Sequence, residues 1–331
     1  MPVPEGSAEG ITHRSVEVGG LSMHIAEAGS GPLVLLLHGF PECWYSWRHQ
    51  LTALARAGYH AVAPDQRGYG RTGEPPPVPG EPAQDQYTML HLTGDVIGLM
   101  DALGADQAVV AGHDWGAPVA WNAALLRPDR IRGVVGLSVP YLPRGSTPPL
   151  ETLRAVYTDN FYICYFQAPG VADAELSRDP RATFRRLLVA ASGDGPLGGR
   201  PILPQGGGFL DLCPEPEGLP GWLTSRDIDV FVAEFARTGF TGGLNWYRNL
   251  DRSWELMAAW RHALVTVPAL YLAGDRDLVV DFSGGEAMLA GLKQVVPRLR
   301  AARLIEGCGH WTQQERPNEV NDAMIEFLSG L

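Results

Sequence analysis

The stretch VVAGHDWGAPVAW, residues 109–121, decides the fold of this protein. An apolar, β-branched run ends at Gly112, and a run of small and apolar residues with helical character begins at Gly116. The pattern of strand, Gly-x-Asp-x-Gly and helix is typical of a sharp turn that lifts one side chain above the edge of a sheet. Glycines are needed on both sides because the turn brings backbone segments too close for Cβ atoms. The residue that this turn lifts is Asp114.

A carboxylate at the tip of the turn predicts a different reaction from the one that a serine there would carry out. A serine there suits acyl transfer, whereas an ionised carboxylate is already a nucleophile and can form an ester by displacement at a saturated carbon. The alternative is an aspartate that only caps the following helix at Trp115. The flanking glycines and the partners described next favour the nucleophile. Ser138 lies in GLSVP without a second elbow glycine, so a serine esterase is not predicted.

Two later segments offer partners in the order nucleophile, acid, base. GDRDLVV, residues 274–280, follows a predicted strand and contains Asp275 and Asp277. GCGHWTQQE, residues 307–315, follows the last predicted strand and contains His310. A histidine oriented by a buried carboxylate is a general base, here for the water that would hydrolyse an aspartyl ester. We favour Asp277 as the orienting acid, with Asp275 capping the turn.

Hydrolysis of such an ester passes through a tetrahedral oxyanion, which needs hydrogen-bond donors. HGFPE, residues 38–42, directly follows a predicted strand. The backbone N–H groups of Phe40 and Trp115 are therefore the predicted oxyanion hole. The alternative for the first segment is a simple Gly-Pro turn.

Apolar runs around the elbow alternate with stretches of helical spacing. Predicted strands cover residues 33–39, 60–65, 107–113, 133–140, 268–274 and 301–307. Predicted helices between and after them cover residues 47–57, 87–103, 116–127, 284–294 and 317–329. Continuous apolar strands alternating with helices predict βαβ units and a mostly parallel sheet.

The middle of the chain differs in composition. Residues 141–264 are rich in aromatic side chains, and a Gly/Pro-rich stretch at 193–221 predicts a long loop. Predicted helices there cover residues 149–165, 173–192, 224–237 and 244–261. Because the sheet pattern resumes afterwards, we predict a helical cap at 141–264 inserted into a core formed by 1–140 and 265–331. The alternative is a separate helical domain.

Composition excludes several classes of function. The 331 residues carry a net charge of −11, with 45% hydrophobic and 19% charged residues, as in a soluble globular enzyme. An acidic chain lacks the basic face that nucleic acid or an anionic membrane would require. Residues 1–18 show no secretory pattern, and no apolar run is long enough to span a membrane. Four scattered cysteines without metal-ligand spacing indicate a reduced, cytoplasmic protein with no metal site.

Four motifs together resemble a known family. They are HGFPECWYSWRHQ at 38–50, RGYGRTG at 67–73, GHDWGAPVAW at 112–121 and GCGHWTQQERP at 307–317. They are similar to the epoxide hydrolases of the α/β-hydrolase fold, and the resemblance runs from about residue 12 to the C-terminus, cap included. It implies a cofactor-independent enzyme that converts small-molecule epoxides and water to vicinal diols.

The resemblance also implies two tyrosines in the cap that donate hydrogen bonds to the epoxide oxygen. NFYICYFQAPGVADAEL, residues 160–176, places the first at Tyr162, and TGFTGGLNWYRN, residues 238–249, places the second at Tyr247. Ring opening creates an alkoxide, which a phenol of pKa near ~10 can protonate while staying neutral at pH 7. Tyr165, three residues after Tyr162, is an alternative on the same helical face.

Aromatic residues near these segments are candidate walls of the substrate pocket. We predict that Trp44, Trp47, Phe161 and Trp246 contribute to it. Cys308, two residues before the candidate base, is interpreted as a small buried side chain.

Two other functions use the same residues. A haloalkane or haloacid dehalogenase shares the Asp–His–Asp arrangement, but it must stabilise a halide rather than protonate an oxygen. The HGFPE loop together with Tyr162 and Tyr247 favours the epoxide. A non-catalytic small-molecule receptor of the same fold would not need the complete set of catalytic groups. We expect a monomer or a homodimer.

Overall fold

Eight strands form one sheet in the computed structural model, which describes residues 10–198 and 201–331. Two stretches lie outside the described residues. They are residues 1–9, which belong to the N-terminal segment without a secretory pattern, and residues 199 and 200, which belong to the predicted long loop. The strands are β1 (Thr12–Val18), β2 (Leu21–Ala28), β3 (Leu33–Leu37), β4 (His60–Pro64), β5 (Ala108–His113), β6 (Ile131–Leu137), β7 (Ala269–Gly274) and β8 (Leu299–Ile305).

The spatial order of the strands is β1-β2-β4-β3-β5-β6-β7-β8. β1 pairs antiparallel with β2, and β2 pairs antiparallel with β4. All the other neighbours are parallel, which confirms the predicted mostly parallel sheet. The first two strands were not predicted. β5 lies between β3 and β6, with Val109 opposite Val34 on one side and Gly133 on the other.

Three helices precede the middle segment, close to where the sequence predicts them. They are α1 (Arg48–Arg56), α2 (Met89–Ala102) and α3 (Gly116–Leu126). α3 packs against both β5 and β6, and it begins directly after the elbow. Its sequence is dominated by alanine and other small or apolar residues, which lets it approach the sheet closely.

The described residues between β6 and β7 form helices and no named strand. The helices are α4 (Pro149–Tyr157), α5 (Tyr162–Tyr165), α6 (Val171–Ser177), α7 (Pro180–Ala190), α8 (Ser225–Thr238), α9 (Thr241–Arg248) and α10 (Leu250–Leu256). We call this segment, residues 141–264, the helical insertion. Its exact division from the core, at 1–140 and 265–331, stays a prediction.

Three of the predicted helices in the insertion are interrupted, and one of them, 244–261, is divided between α9, α10 and a 3-10 helix at Met257–Trp260. Residues 149–165 form α4 and α5 because Thr158 between them adopts a positive φ of 75°. Residues 173–192 break before Pro180, which starts α7 and lacks the N–H that a continuous helix would need. The described part of 193–221 contains a short 3-10 helix at Phe209–Leu212 and no α-helix.

The final part of the chain completes the core. Its helices are α11 (Leu278–Phe282), α12 (Gly285–Val295), α13 (Thr312–Glu315) and α14 (Pro317–Ser329), and α14 packs against α1. Among the residues that the structure describes, no helix has the length and apolar character needed to cross a membrane. The same residues contain no group of three or more His, Cys, Asp or Glu side chains that could hold a metal ion.

Candidate active site

The elbow turns sharply between β5 and α3, as its glycine pattern predicts. Asp114 has a positive φ of 48°, a region that aspartate tolerates better than most residues. A Cβ atom on Gly112 would overlap the carbonyl oxygen of Gly116. A Cβ atom on Gly116 would overlap the carbonyl oxygen of Leu37 at the end of β3. The two glycines therefore allow the turn to sit tightly against the neighbouring strand.

The carboxylate of Asp114 lies where the predicted oxyanion donors meet. The backbone N–H of Phe40 donates a hydrogen bond to Asp114 Oδ1 over 2.7 Å. Burial raises the pKa of Asp114 above its ordinary value, while the nearby imidazoles of His310 and His113 and the N–H groups of Phe40 and Trp115 oppose that rise. The N–H of Phe40 binds Oδ1, and Oδ2 is the oxygen that faces the imidazole of His310.

His310 and Asp277 complete the arrangement from the loops that follow β8 and β7. His310 Nδ1 lies 3.1 Å from Asp277 Oδ1, and His310 Nε2 lies 3.6 Å from Asp114 Oδ2. Asp277 also accepts a hydrogen bond from the N–H of Val279 over 2.9 Å, so it caps α11 and is held in place. Asp275, the alternative acid, is exposed. The structure thus brings Asp277, and not Asp275, to the histidine.

Charges around His310 shift its titration. Burial lowers its pKa, but the carboxylates of Asp277 and Asp114 outweigh burial and raise the pKa to about 9. Burial opposes ionisation of Asp277, yet the adjacent His310 and its hydrogen bonds keep the pKa of this carboxyl below its ordinary value. Asp277 is therefore a carboxylate that stabilises a positive imidazole, as the orienting acid of a general base should be.

Tyr162 and Tyr247 line the same cavity as Asp114 and His310. Their ring centroids are 6.2 Å apart. Burial, and secondarily the charge of Asp114, raises the pKa of both phenols, so both hydroxyls stay protonated at neutral pH. The alternative residue, Tyr165, donates its hydroxyl to Glu175 over 2.8 Å and does not line this cavity.

The cavity around the carboxylate is small and mostly apolar, with a volume of about 40 Å³. Its walls are Phe40, Asp114, Tyr162, Phe166, Leu187, Ala191, Leu197, Pro201, Phe209, Tyr247, Leu278, Val279, His310 and Trp311. A space of this volume holds only a few water molecules.

The four aromatic residues predicted as pocket walls are not among the residues that line this cavity. Trp44, Trp47, Phe161 and Trp246 are all buried in the packed interior instead. The indole N–H of Trp246, for example, donates to the carbonyl oxygen of Arg67. An aromatic residue close in sequence to a catalytic segment is as readily used for packing as for contact with a ligand. A contact of these four residues with substrate stays a prediction.

Sequence reasoning missed Ser138 as a neighbour of the base. Its hydroxyl lies 3.2 Å from His310 Nδ1, the nitrogen that also faces Asp277. Ser138 follows β6 and has a positive φ of 68°, so a second strained turn directs a polar group to the triad. A partial signal was present, because this residue lies close to the end of the strand predicted at 133–140.

A buried pair, Glu42 and His113, was also missed. His113 Nδ1 lies 2.7 Å from Glu42 Oε2, and His113 Nε2 lies 2.7 Å from the carbonyl oxygen of His310. Glu42 accepts a hydrogen bond from the N–H of Gly39, beside the oxyanion donor. Burial opposes its ionisation, but His113 and these hydrogen bonds lower the pKa of Glu42 to about 2. The pair links the 38–42 loop, the elbow and the His310 loop.

Cys308 and Cys43 are buried, and neither is disulfide-bonded. Burial raises the pKa of both thiols well above the ordinary value, so neither is a thiolate at neutral pH. A protonated, buried thiol is a poor nucleophile, and the interpretation of Cys308 as a packing residue agrees with this.

Comparison with known proteins places the chain in a family. Residues 32–168 match the family described as the alpha/beta hydrolase fold. Epoxide hydrolase A of Mycobacterium tuberculosis is 48% identical, with 97% of this chain and 98% of that protein covered. Epoxide hydrolase 1 of Siraitia grosvenorii is 45% identical, with 97% and 99% covered.

A solved structure agrees with these relatives. The crystal structure of epoxide hydrolase A from Mycobacterium thermoresistibile has a TM-score of 0.88 and 50% sequence identity, and the match covers 97% of this chain and 99% of that one. The similarity extends over the core and the helical insertion alike. The expected α/β-hydrolase fold and the expected activity are thus confirmed, and the dehalogenase and receptor alternatives are not needed. This chain belongs to the epoxide hydrolases of the α/β-hydrolase fold.

Proposed function

We propose that this epoxide hydrolase works through a covalent ester on Asp114, which water activated by His310 then hydrolyses. One observation carries the proposal: Asp114 has one carboxylate oxygen at the N–H of Phe40 and the other 3.6 Å from His310 Nε2. The first contact holds the oxygen that would become the oxyanion. The second places the base next to the oxygen that would carry the alkyl group.

In the first step, Asp114 Oδ2 attacks the less hindered carbon of the epoxide, and the bond between that carbon and the ring oxygen breaks. Tyr162 and Tyr247 hydrogen-bond to the departing oxygen, and one of the two phenols gives it a proton. Their raised pKa values support this role, because a protonated phenol is required as the acid. The products of this step are an alkyl ester of Asp114 and one tyrosinate.

In the second step, His310 takes a proton from water, and the hydroxide adds to the ester carbonyl carbon of Asp114. The N–H groups of Phe40 and Trp115 would stabilise the oxyanion that forms. Collapse of the tetrahedral intermediate expels the diol oxygen, which takes the proton back from His310. The proton left on the re-formed carboxyl returns to the tyrosinate through solvent, so the sum is epoxide plus water to diol.

The charge change at Asp114 would itself prepare His310 for the second step. In the free protein, the Asp114 carboxylate is one of the charges that raise the pKa of His310 to about 9. Esterification removes that charge, so the pKa of His310 falls in the intermediate. We expect the single-turnover rate of ester hydrolysis to rise with pH, with a midpoint below that of His310 in the free protein.

This expectation is checked by rapid mixing of enzyme and epoxide across a pH series, alongside an NMR titration of His310 in the unreacted protein. The base form of the imidazole is the active one, so the rate must increase as pH rises through its pKa. A hydrolysis midpoint equal to or above the NMR value would show that loss of the Asp114 charge does not activate the base.

Isotope labelling tests the covalent route directly. One turnover in H₂¹⁸O with excess enzyme should leave the diol unlabelled and place ¹⁸O in the Asp114 side chain, read by mass spectrometry of the peptide. A multiple-turnover sample is the matched control, since later turnovers transfer the labelled oxygen to the diol. Label in the first diol, with none in Asp114, would show direct attack of water on the epoxide.

Further expectations about the setting of the enzyme are proposals too. We propose a small-molecule epoxide as the only substrate partner, no nucleic-acid partner, and a monomer or homodimer in the cytoplasm. The free state of all four cysteines supports a reducing compartment. We also propose that the helical insertion acts as a cap, since it supplies both tyrosines.

A further inference from the structure

A turn of the helical insertion touches the loop that carries the catalytic base. This turn, residues 191–194, follows α7, and we call it the insertion turn. The backbone N–H of His310 donates to the carbonyl oxygen of Ala191 over 2.9 Å. Arg276, next to the orienting acid, donates to the carbonyl oxygen of Gly193 over 3.1 Å. The insertion is thus hydrogen-bonded to both loops that supply the base and its acid.

Glu315 joins the insertion turn to the histidine loop most directly. Glu315 Oε2 accepts hydrogen bonds from the N–H of Gly193 over 2.9 Å and from the N–H of Gly309 over 3.0 Å. Glu315 Oε1 accepts a third from the N–H of Trp311 over 3.1 Å. Two of these donors flank His310 and the third belongs to the insertion, so one buried carboxylate holds the two segments together.

The backbones of the two segments are in direct contact under this carboxylate. A Cβ atom on Gly309 would overlap the N–H nitrogen of Gly193, and a Cβ atom on Gly193 would overlap the carbonyl oxygen of Gly307. Glycine is therefore required on each side for the approach that brings both N–H groups to Glu315. An ordinary surface contact tolerates side chains, whereas this contact requires glycine at both positions.

We propose that Glu315 is a positioning residue that fastens the His310 loop to the insertion turn and so holds the imidazole in place for ester hydrolysis. The inference rests on the proposed two-step mechanism. It assigns Glu315 to the second step alone, because ring opening uses Asp114 and the tyrosines and does not use His310 as a base. A displaced imidazole would leave the first step intact and misplace the attacking water in the second.

The Glu315→Gln variant tests this assignment. A glutamine amide has one acceptor oxygen and turns an NH₂ group toward at least one of the three N–H donors, so part of the contact is lost. Displacements of about 1 Å in a catalytic geometry cost about 10²-fold in rate. We expect ester hydrolysis to slow by about 10- to 100-fold, while ring opening stays within about threefold of wild type.

The measurement is rapid quench with mass spectrometry of the Asp114 peptide, which gives both rates in one experiment. Glu234→Gln is the matched control: Glu234 is also a buried carboxylate, and it is ion-paired with Arg71 at 3.0 Å and Arg237 at 3.4 Å, both of which lie outside the histidine loop. Its ratio of hydrolysis to ring opening should equal that of wild type. A general loss of stability would not change this ratio selectively.

Slowing of both steps by the same factor in Glu315→Gln, or no slowing of hydrolysis, would overturn the proposal. If Glu315→Gln does not fold, Gly193→Ala decides, because it displaces the same contact from the insertion side with Glu315 intact. Failure of the mechanism itself looks different: no ester would then form even in His310→Gln. Ester that accumulates in His310→Gln but not in a folded Glu315→Gln or Gly193→Ala variant would reject only the role of Glu315.

Discussion

In the His310→Gln variant, an ester between substrate and Asp114 is expected to accumulate within one turnover and to persist. Glutamine is neutral and of similar size, but its amide cannot take a proton from water. The two groups that ring opening needs, the carboxylate and the phenols, are unchanged. General-base catalysis contributes about 10²- to 10⁴-fold, and steady-state turnover should fall by about that factor.

Intact-protein mass spectrometry after mixing with a slight excess of epoxide provides the measurement, with the mass of one substrate molecule added to the protein. The double variant Asp114→Asn, His310→Gln is the control and should show no adduct, because an amide is not an effective nucleophile. A folded His310→Gln protein that turns over substrate at the wild-type rate would remove His310 from the mechanism.

The double variant Tyr162→Phe, Tyr247→Phe should lose nearly all ring opening. Both phenols face the cavity that holds Asp114, and without them the departing oxygen leaves as an unprotonated alkoxide in an apolar space. A positioned acid contributes about 10²- to 10⁴-fold, so we expect a fall of at least about 10³-fold in the rate of ester formation. Each single variant should retain part of the activity, since one phenol remains.

Tyr165→Phe is the matched control for these variants. Its hydroxyl is bonded to Glu175 rather than directed into the cavity, so ring opening should stay near the wild-type rate. The rate of ester formation is measured in a His310→Gln background, where the ester on Asp114 is not hydrolysed as it forms. Wild-type rates in the double phenylalanine variant would show that the proton comes from another group.

The central catalytic loops could be predicted from the sequence because their signals are local. Gly112 and Gly116 frame Asp114 within five residues, and the apolar strand before them is continuous. Most of the parallel strands carry the same kind of signal, a short buried run, whereas β8 exposes several of its residues. Asp114, Asp277 and His310 each follow a predicted strand. Because the carboxyl ends of parallel strands meet at one edge of a sheet, the sequence also predicted that the three loops lie together there.

The edge strand β1, one of the two antiparallel strands that were not predicted, carries no such signal. β1 exposes most of its residues, including His13, Arg14 and Ser15, and lies at the sheet edge. A strand of this kind is stabilised by pairing with its neighbour and not by burial of its own side chains. Its hydrophobic pattern is therefore weak, whereas its seven-residue register with β2 is regular.

Long-range polar contacts could not be predicted from local sequence patterns, for a different reason. Glu42 meets His113 across 71 positions, and Glu315 meets Gly193 across 122 positions. Each carboxylate lies inside a recognised motif, but its partner is set by the packing of loops from separate strands. Sequence position likewise cannot tell whether an indole such as that of Trp47, which is buried, faces a cavity or the packed interior.

The apolar walls of the cavity come from parts of the chain that take no part in proton transfer. Leu187 belongs to α7, while Leu197 and Phe209 lie in the loop region that follows it. Substitutions at these three positions would change the room and shape offered to an epoxide without altering the groups that react. Natural variation or laboratory selection at these positions can therefore widen the range of epoxides that the enzyme accepts, while the reacting groups stay the same.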